Sequence, residues 1–379
     1  MKVYLDNSAT SFPKPNEVLK AVTEGITKFG GNPGRGSNSM SLAAYREIFK
    51  ARERAARFFN IKDSSRLVFT SNATEALNLA IKGLRLTSGE IITSSMEHNS
   101  VIRPLSSLVS QGLTLKKVKC SETGEVDPDD FKRMITGKTK LAVFTHASNV
   151  VGTILPVKQI GRICREKGII FIVDAAQTAG CLPIDVESMC VDLLACSGHK
   201  GLLGIQGTGL LYIAPSIRLQ PLKEGGTGSF SDDGNQPEEL PDRFESGTLN
   251  TPGILSLCAG IKFIEKKSIN KIREHEMMLI KRLVEGLKGI KGVKIYGAEN
   301  EKKRAGLISL NLEGIHSSLI GDILDKKFGI IVRTGLHCSP ESHKAVGSYP
   351  EGAVRFSPGY FNTADEIDYS VKAVTSLFR

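Results

Sequence analysis

The chain has seven cysteines in 379 residues but no Cys-x-x-Cys pair. An odd number without such a pair argues against a disulfide framework and against a zinc ribbon, so reduced thiols and no metal are expected. No apolar run approaches the roughly twenty residues that a membrane span needs. The opening Met1-Lys2-Val3-Tyr4-Leu5-Asp6 lacks a signal-peptide pattern, so a cytoplasmic location without a membrane partner is expected. Internal repeats and low-complexity tracts are missing too. The formal net charge is +10, yet no aromatic-interleaved basic patch accompanies it. The basic residues from Lys262 to Lys294 are interspersed with Glu265, Glu274, Glu276 and Glu285, the pattern of a solvated helix face, so nucleic-acid binding is not expected. Such a surface would instead speed encounter with an acidic protein partner.

What is present describes a globular α/β chain. Apolar residues make up 40% and charged residues 24%, and the length suffices for two domains. Apolar runs alternate with helical patterns, predicting strands at Leu67–Thr70, Glu90–Thr93, Leu115–Val118, Leu141–Thr145, Ile169–Val173, Leu193–Cys196 and Leu210–Ile213. That alternation implies a mostly parallel, seven-stranded sheet covered by helices. A polar, Gly/Pro-rich stretch from Glu224 to Pro252 leads into one long helix, Ile254 to about Leu287. Shorter strands (Gly306–Leu312, Ile330–Arg333, Ala353–Phe356), a helix near Ser317–Lys327 and a closing helix Asp365–Phe378 predict a smaller α+β domain. The expected division is residues 1–15, a segment packing on the small domain; 16–253, the large domain; and 254–379, the linking helix with the small domain.

Polar residues converge at the ends of the predicted strands. Lys200 ends Ser197-Gly198-His199-Lys200 just after one apolar run, and Asp174 closes another. A lysine amine on a tight turn can bond an aldehyde cofactor, while an aspartate at a neighbouring strand end can hold a pyridinium proton, so the pair points to pyridoxal phosphate chemistry. Ser71-Asn72-Ala73-Thr74-Glu75 opens a helix after Thr70, and a helix amino terminus with small and hydroxyl residues is a ready phosphate site. Further strand ends deliver His98, Asn149 and Gln177 to the same sheet edge.

Across nearly its whole length the chain resembles the class V aminotransferase family and, within it, the cysteine desulfurases. The stretches that carry the likeness are Tyr4-Leu5-Asp6-Asn7-Ser8-Ala9-Thr10, Thr70-Ser71-Asn72-Ala73-Thr74-Glu75, Glu97-His98-Asn99-Ser100, Ser148-Asn149-Val150-Val151-Gly152, Val173-Asp174-Ala175-Ala176-Gln177, Ser197-Gly198-His199-Lys200, Phe244-Glu245-Ser246-Gly247-Thr248, Arg333-Thr334-Gly335-Leu336-His337-Cys338 and Val354-Arg355-Phe356-Ser357. The resemblance implies fold type I of pyridoxal 5'-phosphate-dependent enzymes, with Lys200 as the covalent attachment point and mobile base. It implies Asp174 at the pyridine nitrogen, His98 against the ring, and Gln177 and Asn149 at the phenolic oxygen or the substrate. The phosphate would be held by Thr74 beside Ala73, by Ser197 and His199, and by Thr248 reaching across a homodimer interface. Many relatives carry a hydroxyl residue where Ala73 stands, so that hydrogen bond has no side-chain donor here.

Arg355, among apolar neighbours, matches the arginine that grips the amino-acid carboxylate. Cys338 matches the thiol that takes sulfur from L-cysteine as a persulfide and leaves alanine, for an acceptor protein or for iron–sulfur cluster assembly. Gly335, His337, Ser339 and Pro340 predict an exposed loop, with a neighbouring imidazole favouring the thiolate. Leu336 stands where the short-loop, selenocysteine lyase-like subgroup often has histidine. Three alternatives stay open: a selenocysteine lyase or C–S lyase without an obligatory persulfide, a metal site from His337, Cys338 and His343, and a non-catalytic scaffold or nucleic-acid-binding protein.

Overall fold

A computed structural model describes residues 2–34, 38–229 and 232–377. The chain opens with strand β1 (Val3–Tyr4) and helices α1 (Asn16–Thr27) and α2 (Ser39–Phe58). Then come β2 (Leu67–Thr70), α3 (Ala73–Gly83), β3 (Glu90–Ser94), α4 (Asn99–Val109), β4 (Thr114–Val118), α5 (Pro128–Met134), β5 (Thr139–Thr145), α6 (Val157–Lys167), β6 (Ile170–Asp174), β7 (Leu193–Ser197) and β8 (Gly209–Ile213). The remainder holds α7 (Thr251–Lys267), α8 (Ile269–Leu287), β9 (Val293–Tyr296), β10 (Ile308–Leu312), α9 (Ser317–Phe328), β11 (Ile330–Ile331), β12 (Arg333–Gly335), α10 (Pro340–Ala345), β13 (Ala353–Phe356) and α11 (Ala364–Ser376).

Strands β2 to β8 form one seven-stranded sheet in the order β2-β8-β7-β6-β5-β3-β4. Only β8 runs antiparallel to its neighbours. Alternate residues of each strand face opposite ways. Ala142, Phe144, Phe171 and Val173 join a core with α2, α6 and α7, whereas Leu141, Val143 and Ile172 join a second core with α3 and α4. Burial on both faces is what makes these strands read as continuous apolar runs. Truncating a fully buried side chain such as Phe171 to alanine would cost about 3–5 kcal/mol.

A third core joins α8, α9 and α11 to the four-stranded sheet β12-β13-β10-β9. Strand β1 pairs with β11, Val3 beside Ile330, which ties the N-terminal segment to this unit. The expected single helix from Ile254 to Leu287 is two helices. Asn250 caps the first by accepting from Gly253 N at 3.1 Å, and Ser268 breaks the run with φ +71°. The expected strand Ile330–Arg333 also divides, β11 pairing with β1 and β12 with β13. Helices α1 and α2 and strand β9 add to the expected elements. Phe378, the expected end of the last helix, lies outside the described residues. Among the described residues no helix is long and apolar enough to cross a membrane.

Candidate active site

The carboxyl ends of β2, β3, β5, β6 and β7 deliver their polar residues to one sheet edge. Ser197 ends β7, and Gly198 begins the turn to Lys200, donating its N–H to Thr208 O at 2.9 Å. A Cβ on Gly198 would meet Thr208 Oγ1 at 2.2 Å, so only glycine fits this close approach. Lys200 makes no hydrogen bond through its amine among the described residues. Burial pushes that amine down to about 8, opposed by Asp174 and reinforced by Arg355 and Arg333. Asp174 ends β6, is 4% exposed, and accepts the Ala176 N–H at 2.9 Å. Burial raises its carboxyl above the usual range, against that hydrogen bond and the Lys200 charge.

Ala73, Thr74, His98, Asn149, Asp174, Gln177, Ser197, His199 and Lys200 all line one pocket, with about 500 Å³ of free space including its mouth. His98 caps α4: its Nδ1 accepts the Ser100 N–H at 3.0 Å, which leaves the ring proton on Nε2. Burial, then the Lys200 charge, lowers His98 to about 4, so the ring is neutral. His199 is also lowered to about 4 by burial, and its Nδ1 is buried without a partner. Gln177 donates to Ser8 O at 3.2 Å. It shares with Lys200 a neighbouring cleft bounded by Asn7, Ser8 and Gly359. Thr248 lies outside the pocket of its own chain, exposed, with its Oγ1 accepting from Asn32 Nδ2 at 3.4 Å.

Arg355, on β13, is 2% exposed. Its Nη1 donates to Asn149 O and its Nη2 to Asp6 Oδ1, both at 2.9 Å, while Nε is buried without a partner. Asn149 uses both ends of its amide on the cysteine turn, donating to His337 O and accepting from Ser339 Oγ, each at 2.7 Å. Cys338 O accepts the Asn99 N–H at 2.8 Å, which places this turn beside His98. Cys338 is exposed, and His337 and Cys338 both hold left-handed backbones, φ +49° and +58°. Burial pushes the His337 imidazole down to about 2. His337 lies against the ring of His343 at 5.3 Å, and His343 Nδ1 bonds Ser348 Oγ at 2.7 Å. Among the described residues no group of three or more His, Cys, Asp or Glu is arranged to hold a metal ion.

Sequence reasoning missed Asp6, Arg333, Glu97 and Ser100 as site residues. All four stand inside motifs that carry the resemblance, which was the available signal. Glu97 is fully buried behind the pocket, accepts from Ser94 Oγ at 2.5 Å and Thr145 N at 2.9 Å, and is pushed up to about 8 by burial.

This chain belongs to the Aminotransferase class-V family, whose sequence profile matches residues 3–369. Its architecture is fold type I of pyridoxal-phosphate-dependent enzymes. A probable cysteine desulfurase of Methanothermobacter thermautotrophicus is 37% identical over 371 residues, 96% of this chain and 92% of the relative. Among solved structures, the apo cysteine desulfurase of Thermococcus onnurineus NA1 superposes with a TM-score of 0.94 at 36% identity, covering 99% of this chain and 94% of that one. The cysteine desulfurase CsdA of Escherichia coli, in an S-sulfonic acid form, gives 0.90 at 27%, covering 100% and 94%.

Proposed function

We propose that this chain is a pyridoxal 5'-phosphate-dependent cysteine desulfurase that converts L-cysteine to L-alanine and takes the sulfur onto Cys338 as a persulfide. The observation that carries the reading is the position of Cys338. It is an exposed thiol on a turn hydrogen-bonded to Asn99 and to Asn149, and Asn149 lines the pocket that holds Lys200 and Asp174. The pocket suits the cofactor through a lysine amine with no acceptor among the described residues, a buried carboxylate, and an unpartnered His199 Nδ1. Two helix starts, those of α3 and α4, line it and favour an anion.

When bound, the cofactor supplies the electron-withdrawing ring that weakens the bonds at the substrate Cα and Cβ. Lys200 Nζ would be its attachment atom and, with a value near 8, would exchange the Cα proton close to neutral pH. Asp174 would hold a proton on the ring nitrogen and His98 would pack against the ring. Thr74, Ser197 and His199 would hold the phosphate. Arg355 would bind the substrate carboxylate through its unpartnered Nε. Cys338 Sγ then forms a bond to the substrate sulfur as the Cβ–S bond breaks. The electron pair and a proton stay with the three-carbon product, so L-cysteine plus thiol balances L-alanine plus persulfide.

The active unit of this reading is a homodimer in which Thr248 serves the neighbouring pocket. Support comes from Thr248 lying outside its own pocket and from the exposed apolar residues Leu19 and Ile26 on α1 and Met40, Tyr45 and Phe49 on α2. Helices α1 and α2 flank Asn32, which is bonded to Thr248. The domain division at residues 15/16 and 253/254, a cytoplasmic setting and a sulfur-acceptor protein, as in iron–sulfur cluster assembly, belong to the same proposal. That Cys338 is not among the residues lining this pocket favours one second reading, a selenocysteine or C–S lyase that needs no thiolate at Cys338. Product analysis with L-cysteine and L-selenocysteine tests the proposal. Alanine with protein-bound persulfide from L-cysteine is expected, whereas pyruvate and ammonia with free sulfide, or alanine with elemental sulfur or selenium, and no sulfur on the protein would establish the second reading.

A further inference from the structure

Position 73 offers the phosphate end of the pocket no hydroxyl, yet a second hydroxyl stands beside Thr74. Thr74 and Ser100 occupy matching places in the first turns of α3 and α4, two helices that pack together. Thr74 Oγ1 lies 2.8 Å from Ser100 Oγ, and both residues line the pocket with His199 and Ser197. Ser100 Oγ is also 2.8 Å from His98 Nδ1, which already accepts the Ser100 N–H. We propose that Ser100 serves the phosphate-holding set from the start of α4 by turning the Thr74 hydroxyl proton toward the anion. The inference rests on the reading of this pocket as a pyridoxal phosphate site.

The argument is a count of protons. Two hydroxyls 2.8 Å apart share one hydrogen bond, so one of them keeps a proton to donate elsewhere. If Thr74 donates to Ser100, the remaining proton points to His98 Nδ1 and the pocket gains no donor. If Ser100 donates to Thr74, the Thr74 proton is free to point into the pocket. An anion there selects the second arrangement, because only that one presents a donor to it, and the bonded pair strengthens the donor through cooperativity. His98 Nδ1 loses nothing, since the Ser100 N–H still satisfies it. Ser100 is thus a positioning residue for Thr74, and two helix starts rather than one face the same charge.

The test is titration of the full-length protein, stripped of cofactor, with pyridoxal phosphate and with pyridoxal. Ser100→Ala should weaken pyridoxal phosphate binding about two- to fourfold, the cooperative share of one hydrogen bond to a charged group, and leave pyridoxal binding nearly unchanged. Ser100→Thr should stay near the parent, and the double change Ser100→Ala with Ala73→Ser should recover most of the phosphate preference. Equal loss for both ligands, or no loss for either, would overturn the role of Ser100. Thr74→Ala separates the two levels of the argument. If it lowers the phosphate preference and Ser100→Ala does not, only the inference fails. If neither does, the reading of the pocket as a phosphate site fails with it. Since α4 keeps its backbone cap in Ser100→Ala, folding should survive. The rise in Tm given by inorganic phosphate then provides a second measurement, expected to be smaller in that variant.

Discussion

Arg355 and Asp6 are joined across nearly the whole chain, Nη2 to Oδ1 at 2.9 Å, with the arginine side chain 3% and the aspartate side chain 16% exposed. The arginine proposed to hold the substrate carboxylate is therefore already paired with an internal one. Its Nε is buried and unpartnered. Removing one member of a buried ion pair leaves the other uncompensated, so Asp6→Asn should lower stability by about 3 kcal/mol. A bound carboxylate restores part of that loss by mass action. L-Alanine should accordingly raise the Tm of Asp6→Asn more than that of the parent, read by thermal unfolding. Equal shifts would separate Asp6 from carboxylate binding.

Asn149 spends both ends of its amide on the turn that carries Cys338. Two adjacent left-handed residues each cost about 1–3 kcal/mol, so that turn persists because its surroundings hold it. Asn149→Ala removes two hydrogen bonds of about 1 kcal/mol each, and Ser339→Ala removes one. Amide exchange at His337 to Ser339 should quicken in the order parent, Ser339→Ala, Asn149→Ala. Unchanged exchange in Asn149→Ala would mean that Asn99 and the helix after Pro340 hold the turn unaided.

The parts legible in the sequence were those with one local cause. Strands β5, β6 and β7 are buried on both faces and leave uninterrupted apolar runs, and the Lys200 turn follows one of them directly. Helices α1 and α2 were not legible, because Leu19, Ile26, Met40 and Phe49 face outward in the single chain and blur the period that a core-facing stripe would give. The break at Ser268 depends on a left-handed serine, a conformation that composition does not announce. The engagement of Asn149 by His337 and Ser339, and of Arg355 by Asp6, links residues far apart in the chain, which no local pattern reports.

Five imidazoles, those of His98, His146, His199, His337 and His343, are all lowered by burial, to about 4 or, for His337, about 2, from an ordinary 6.5. Their stability contribution is complete above 6.5 and is lost as pH falls, because the unfolded chain takes up protons first. Glu97 and Glu276 work oppositely. Raised from 4.5 to about 8, they favour the folded state fully below 4.5 and lose that contribution as pH rises through about 8. Between 6.5 and 4.5 the five imidazoles outnumber the four raised carboxyls, Asp174 and Asp192 acting with the two glutamates, so the cofactor-free protein should lose stability on acidification. The slope should be about 1.4 kcal/mol per pH unit for each proton taken up in excess. Urea midpoints across this range measure it, and a midpoint that rises on acidification would contradict the assignment.

The fate of sulfur turns on Cys338. If the thiol accepts sulfur as a persulfide, it acts after the substrate is bound by Arg355 and after Lys200 has taken the Cα proton, so its loss should arrest the cycle late. Cys338→Ser should still bind the cofactor and still change its absorbance on addition of L-cysteine, yet form almost no alanine. Lys200→Ala should fail earlier, without the proton transfer. L-Selenocysteine should be less sensitive to Cys338→Ser, since selenolate is the better leaving group and can depart without attack. Mass analysis of the parent protein given L-cysteine without reductant should find one added sulfur atom on the peptide holding His337, Cys338 and Ser339. Near-normal alanine formation by Cys338→Ser, with no added sulfur on the parent, would reject persulfide transfer and leave the lyase reading.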